Sequence, residues 1–366
     1  MRLLVAPDSF KGSLTSVEVA EALAAGWRSV RPSDEIVLAP LADGGEGTLA
    51  AIEAAGGWMR QSAIVADPLG RPITADWLRD GNRAVVEMAA ASGLSRVRAD
   101  ERDALAATSR GTGELLRAAL EAGCRDLVLG IGGSATTDGG RGLLEGLGAV
   151  VRGDGSVDLA GLDPRLAAAT LAVACDVTNP LLGPHGAAAT YGPQKGASVT
   201  QVQELDARNA AWADVLEAAA GSSVRNAAGA GAAGGVGFAL LAVASRFERF
   251  ALRPGIGLIM EAVAFEARLR ASDIVITGEG RIDAQTAYGK TALGVARLAR
   301  EAGVRCIAVG GGVEPEGVEA LGRLGVEVVP VWEQRVPLAE AIAAGAAPLI
   351  DCGARLARGW LTKSLD

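Results

Sequence analysis

The sequence predicts an α/β protein in which a flavodoxin-like parallel-sheet domain is formed by both chain ends and a second α/β domain of mixed sheet is inserted. Three observations carry this. Short apolar runs at Arg2 to Ala6, Glu35 to Ala39, Ser272 to Thr277, Cys306 to Val309 and Val326 to Pro330 read as central parallel strands, with helical patterns between them. Several of these runs empty into loops of Gly, Ser, Thr and acidic residues, at the strand edge where open α/β sheets bind ligands. From Met59 to Met88 the texture changes to short alternating runs broken by Asp67-Pro68-Leu69-Gly70 and Asp80-Gly81-Asn82, the hairpin signals of an antiparallel meander. The expected division is 1–58 with 268–366 for the first domain and 59–267 for the inserted one. A chain of 366 residues, 49% hydrophobic and 21% charged, is long and apolar enough for both cores.

In chain order, the first strand opens into Pro7-Asp8-Ser9-Phe10-Lys11-Gly12-Ser13, with Thr15 or Ser16 as the cap of a helix over about 17–30. The second leads to Ala42-Asp43-Gly44-Gly45-Glu46-Gly47-Thr48, where Asp43 and Glu46 either meet a ligand or serve only the next helix. After the meander and a helix to about Ala122, Asp126 to Leu129 form a buried strand. It breaks into Gly130, Gly132, Gly133, Ser134, Thr136, Thr137, Asp138, Gly139 and Gly140. Such a loop lets successive N–H groups converge on an anion, although alone it serves equally as a strand-to-helix turn. Strand 171–174 ends in Cys175-Asp176-Val177-Thr178-Asn179, and Gln194-Lys195 precede a helix over about 200–219. Gly229 to Gly237 is nearly all Gly and Ala, a second anion loop or a site of tight packing. Ser272 to Thr277 opens into Gly278-Glu279-Gly280-Arg281-Ile282-Asp283. The Gly289-Lys290-Thr291 that follows is not a P-loop, because Ala284 stands where that motif needs glycine.

Composition excludes several classes of function. A formal net charge of −8 argues against a nucleic-acid or anionic-membrane partner. Cys124, Cys175, Cys306 and Cys352 lack metal or disulfide spacing, and with His185 as the only histidine the remaining ligands are hard oxygens suited to magnesium. The N-terminus lacks a signal peptide's apolar core and no run is long enough to span a bilayer, so a cytoplasmic location is expected. Gly with Ser/Thr, several acids and isolated Lys/Arg at strand ends form the kit of phosphoryl transfer: backbone N–H groups and cations hold phosphates, and a carboxylate takes the acceptor's proton.

The blocks PDSFKGSLT, PLADGGEGT, Ser92-Gly93-Leu94, GIGGSATTDGG, CDVTNPLLG, GPQKGA, GAAGGVGF and TGEGRIDAQTAYGKT resemble, in order and across nearly the whole chain, those of the bacterial glycerate kinase family, which includes glycerate 2-kinases. The resemblance implies ATP- and magnesium-dependent phosphorylation of D-glycerate, at the 2-hydroxyl, by two α/β domains around a cleft. It allows a homo-oligomer. Thr137 stands where the family often has Asn, and Arg110 where an aromatic is common. Matching positions imply Asp8, Lys11, Asp43 and Arg281 at the reaction centre, with an Asp as base or metal ligand. They imply Gly132, Gly133, Ser134 and Thr136 against phosphate, Glu279, Asp283 and Lys290 at the rim, and Asp138 and Asp176 as metal ligands. Competing readings are a glycerate 3-kinase or a kinase of another small hydroxy acid, a metal-dependent phosphatase or phosphotransferase without ATP, and a nucleotide or organic-acid sensor.

Overall fold

The computed structural model describes residues 1–284, 286, 291–334 and 336–363, the last three by their backbone. Its strands are, in chain order, β1 (Arg2–Pro7), β2 (Glu35–Leu38), β3 (Met59–Ala66), β4 (Pro72–Asp80), β5 (Arg83–Glu87), β6 (Asp126–Gly130), β7 (Val150–Val151), β8 (Val157–Asp158), β9 (Thr170–Ala174), β10 (Arg249–Arg253), β11 (Ile274–Ile282), β12 (Arg305–Val313) and β13 (Glu327–Pro330). Tertiary contacts divide the chain into one unit of residues 1–43, 50–56 and 259–366 and a second of residues 44–49 and 57–258.

In the first unit the sheet order is β13-β12-β11-β1-β2 with parallel pairing throughout. Counted within the unit this is 2-1-3-4-5, the flavodoxin-like order, and its direction reverses between β1 and β11. Leu3, Val5, Ile274, Ile276, Ile307 and Val309 contribute to one apolar core with Val19, Leu23 and Trp27 of helix Ser16–Val30 and Leu349, Cys352 and Leu356 of helix Ala347–Lys363. Thr15 starts the first of these helices with a reciprocal capping box to Glu18. The two helices meet backbone to backbone: a Cβ on Gly26 would lie 1.9 Å from the Ile350 carbonyl oxygen, and one on Gly353 would lie 2.3 Å from that of Leu23.

The second unit has a mixed sheet of order β10-β9-β6-β5-β4-β3, antiparallel from β3 to β5 and parallel from β5 to β10. The β3–β4 turn is fixed by Asp67, whose carboxylate accepts the Leu69 and Arg71 N–H groups at 2.8 Å. Helix Arg110–Glu121 buries Leu115, Leu116 and Leu120. Helix Val199–Ala220 starts at a Ser198–Gln201 capping box and stops at left-handed Gly221. The glycine run at 229–237 is a packing device: a Cβ on Gly234 would stand 1.9 Å from the Thr136 carbonyl oxygen, and one on Gly235 would stand 2.5 Å from Gly139 Cα. Among the described residues no helix is long and apolar enough to cross a membrane.

Candidate active site

In the first unit, Asp8 leaves the carboxyl end of β1 at the point where the strand order reverses, beside β11, which carries Glu279. The Asp8 N–H donates to the Gly278 carbonyl at 2.8 Å. Its carboxylate accepts the Ser9 N–H and the Thr291 hydroxyl, each at 2.6 Å. Burial raises the Asp8 pKa above the ordinary carboxylate range, against the pull of those two hydrogen bonds, and the charge of Asp43 adds to the rise. Lys11 Nζ lies 3.3 Å from Asp43 Oδ2, and that carboxylate holds the ammonium charged. Both side chains are exposed, so the pair contributes little to stability. Glu279 is buried and accepts the Thr286 hydroxyl at 2.8 Å, while Thr286 Oγ1 accepts the Asp283 N–H at 3.1 Å. Arg281 is exposed, with its guanidinium on Glu314 and 3.5 Å from Asp283, so its fork already faces protein carboxylates. Lys290 lies outside the described residues.

In the second unit the loop after β6 packs against the Gly44–Gly45 backbone. The Gly132 N–H donates to the Gly44 carbonyl at 3.1 Å, and a Cβ on Gly132 would stand 2.5 Å from Gly45 Cα. Gly133 has a φ of +73°. Ser134, Thr136 and Thr137 are all buried, and the Thr136 and Thr137 hydroxyls have no hydrogen-bond partner among the described residues. Asp138 is committed to the protein. Its carboxylate accepts the Ser109 N–H and hydroxyl at 2.8 Å and the Gly140 and Gly142 N–H groups at 3.1 Å, tying the loop to the helix at Arg110. Asp176 is exposed and accepts the Gly255 N–H at 3.0 Å. Among the described residues no three His, Cys, Asp or Glu side chains converge as a metal site.

Three residues matter more than sequence reading credited. Thr291 holds Asp8, but belonged to a Gly-Lys-Thr set aside once the P-loop failed. Glu87, at the end of β5, is buried and accepts the Leu49 N–H at 2.9 Å and the Gly47 N–H at 3.3 Å, so it caps helix Thr48–Ala55 from another element. Burial raises its pKa. An acid closing an apolar strand is the signal that singled out Asp8 and Asp43, and it was available at Glu87. Lys195, placed by the sequence only ahead of a helix, is 3% exposed, with Nζ donating to Ser134 Oγ at 2.9 Å and to the Thr136 carbonyl at 2.6 Å.

Burial pushes the Lys195 ammonium down to about 7, with the charge of Asp138 opposing the fall. A lysine depressed in the folded state and ordinary in the unfolded one makes the unfolded chain bind more protons between these values. Its contribution to stability therefore rises with pH from about 7 toward about 10, by up to about 1.4 kcal/mol per pH unit. Urea denaturation of the wild type and Lys195→Met across pH 7–10 should show that slope in the difference between them. A pH-independent difference would contradict it.

A model described as the glycerate kinase family matches residues 3–361 of this chain. The chain is 44% identical over 355 residues to a glycerate kinase of Bacillus subtilis, covering 90% of this chain and 92% of that one. It is 46% identical over 318 residues to a glycerate 2-kinase of Escherichia coli, covering 82% of each. Among solved structures it is similar to a Salmonella typhimurium LT2 protein provisionally assigned as glycerate kinase 2, with a TM-score of 0.85, 39% identity and full coverage of both chains.

Proposed function

Because this chain belongs to the glycerate kinase family and is therefore a kinase, we propose that it transfers the γ-phosphoryl group of ATP to the 2-hydroxyl of D-glycerate, giving 2-phosphoglycerate and ADP. The observation that carries the choice of hydroxyl is the 46% identity, over 82% of both chains, to a protein named glycerate 2-kinase. The same reading places the reaction in the cytoplasm.

The 2-hydroxyl oxygen forms a bond to the γ-phosphorus as the bond to the bridging β–γ oxygen breaks and ADP departs; the hydroxyl proton goes to a carboxylate. Asp8 is assigned as that base. Its raised pKa makes it a stronger base than an exposed acid, and Thr291 and Ser9 fix its two oxygens. Lys11 is assigned to the substrate's negative charge, a carboxylate or a phosphate oxygen, held at the loop by Asp43. The loop at Gly132, Gly133, Ser134 and Thr136 is assigned to the ATP phosphates, with the unpartnered Thr136 and Thr137 hydroxyls available as donors.

Magnesium commonly takes one or two protein carboxylates and completes its shell with water and phosphate oxygens, so the sparse acids of this chain fit it. Of the two acids that the resemblance assigns to the ion, Asp176 is exposed and would hold it; Asp138, with its oxygens spent on four donors, does not fit. When bound, the ion offsets charge on the transferring phosphates.

The test is incubation with D-glycerate, ATP and magnesium, with the product identified by phosphorus NMR and by direct coupling to enolase without a mutase. Immediate coupling is expected. 3-Phosphoglycerate would move the attack to the other hydroxyl, and absence of product from protein that binds ATP would direct the search to other hydroxy acids.

A further inference from the structure

We propose that Lys195 positions the glycine loop for the nucleotide's phosphates, acting through Ser134 and the Thr136 carbonyl rather than by touching the reacting atoms. The inference rests on the assignment of that loop to ATP. Removing an ammonium from water is costly unless it is well hydrogen-bonded, and both acceptors that Lys195 finds here belong to the same three residues of the loop. The lysine comes from a distant part of the chain, a 3₁₀ turn over Pro193–Lys195 closed by Gly196 at φ +95°, with the Lys195 N–H on the Gly192 carbonyl at 3.0 Å. It therefore ties the loop to a separate, rigid turn.

A second observation points to a ligand. The Thr136 and Thr137 hydroxyls are fully or almost fully buried with no hydrogen-bond partner among the described residues. Buried hydroxyls of this kind are costly unless something satisfies them. Lys195 occupies the Thr136 carbonyl, while the Thr136 and Thr137 hydroxyls remain unsatisfied donors within the same loop.

Binding of ATP with magnesium is measured by titration calorimetry, alongside steady-state constants for ATP and D-glycerate. Lys195→Met, which keeps length and loses the donors, should weaken ATP roughly ten- to thirtyfold, the loss expected for a charge-assisted hydrogen-bond anchor. KM for glycerate should move less than about twofold, since a positioning role at the phosphates leaves the other substrate's contacts in place. Lys195→Ala should recover part of the ATP affinity in propylamine, which replaces the missing stem and nitrogen. Ser134→Ala should weaken ATP roughly three- to tenfold, and adding it to Lys195→Met should cost little more, because the two act as one unit. ATP affinity unchanged in folded Lys195→Met, or fully additive losses in the double variant, would overturn the proposal. Should Lys195→Met not fold, unchanged affinity in Ser134→Ala overturns it as well. A wild type that neither binds ATP nor phosphorylates glycerate would instead remove the kinase reading beneath it.

Discussion

Asp8→Asn is expected to lower kcat by about 10²- to 10⁴-fold, the range that a positioned general base contributes, while KM for ATP changes little. Asparagine is nearly isosteric and can still accept the Thr291 hydroxyl that Asp8 Oδ2 accepts at 2.6 Å, so the variant isolates proton acceptance from loop geometry. The pH profile gives an independent readout. A base acts only when ionised, and burial raises the pKa of Asp8, so wild-type kcat should fall on the acid side at a pH above the ordinary carboxylate range. The variant's residual activity should lack that limb. Stability moves the other way. With its folded pKa above its unfolded one, Asp8 contributes favourably at low pH, and that contribution is lost as pH rises through the folded value. At neutral pH the ionised side chain is a cost that asparagine relieves, so the variant should unfold at an equal or higher temperature, as active-site replacements commonly do. Turnover within about threefold of wild type would transfer the base role to another carboxylate, with Asp43 next to be replaced.

The parallel sheet was legible because its three inner strands, β1, β11 and β12, are buried apolar runs, and its edge strands β2 and β13 keep Ile36-Val37-Leu38 and Val328-Val329 between helices although none of their residues is fully buried. The meander was legible from Asp67-Pro68-Leu69-Gly70, whose aspartate supplies the turn's acceptors. β10 was not read: in Arg249-Phe250-Ala251-Leu252-Arg253 an apolar run of only three residues is flanked by arginines, which gives neither a long apolar run nor a clean alternation. At the site, sequence order placed Asp8, Lys11, Asp43 and the glycine loop at strand ends, because strand ends are one-dimensional features. What a side chain faces is not one-dimensional. Nothing near Arg281 in sequence announces Glu314, thirty-three residues on, and nothing near Lys195 announces Ser134, sixty-one residues back. The same limit hid the inward turn of Asp138, whose principal partner is Ser109.

Gly132→Ala should reduce kcat/KM by about 10²-fold, although a methyl group is the smallest change a glycine can undergo. The effect is steric and not conformational, since Gly132 is absent from the positive-φ glycines. The new Cβ would meet Gly45 Cα at 2.5 Å, Gly45 N at 3.1 Å and the Gly44 carbonyl oxygen at 3.4 Å. All three are backbone atoms, which cannot turn away as a side chain can. The loop and the Gly44–Gly45 segment must therefore separate, stretching the 3.1 Å hydrogen bond from the Gly132 N–H to the Gly44 carbonyl. Overpacking of this kind costs roughly 1–3 kcal/mol, a fall in Tm of roughly 2–10 °C for a unit of this size. The catalytic loss should exceed what that instability explains. Ser134 lies two residues beyond Gly132 and Asp43 is bonded to Gly44, so the displacement reaches groups assigned to phosphate and to the substrate's cationic anchor, and a misplacement of about 1 Å can cost about a hundredfold in rate. Gly153→Ala is the control, because a Cβ there would have nothing within 4 Å. Its kinetics and Tm should match the wild type. If Gly132→Ala retained activity within about threefold at a temperature where it is fully folded, the backbone contact would be packing alone, and the phosphate assignment would then rest on the hydroxyls of the loop.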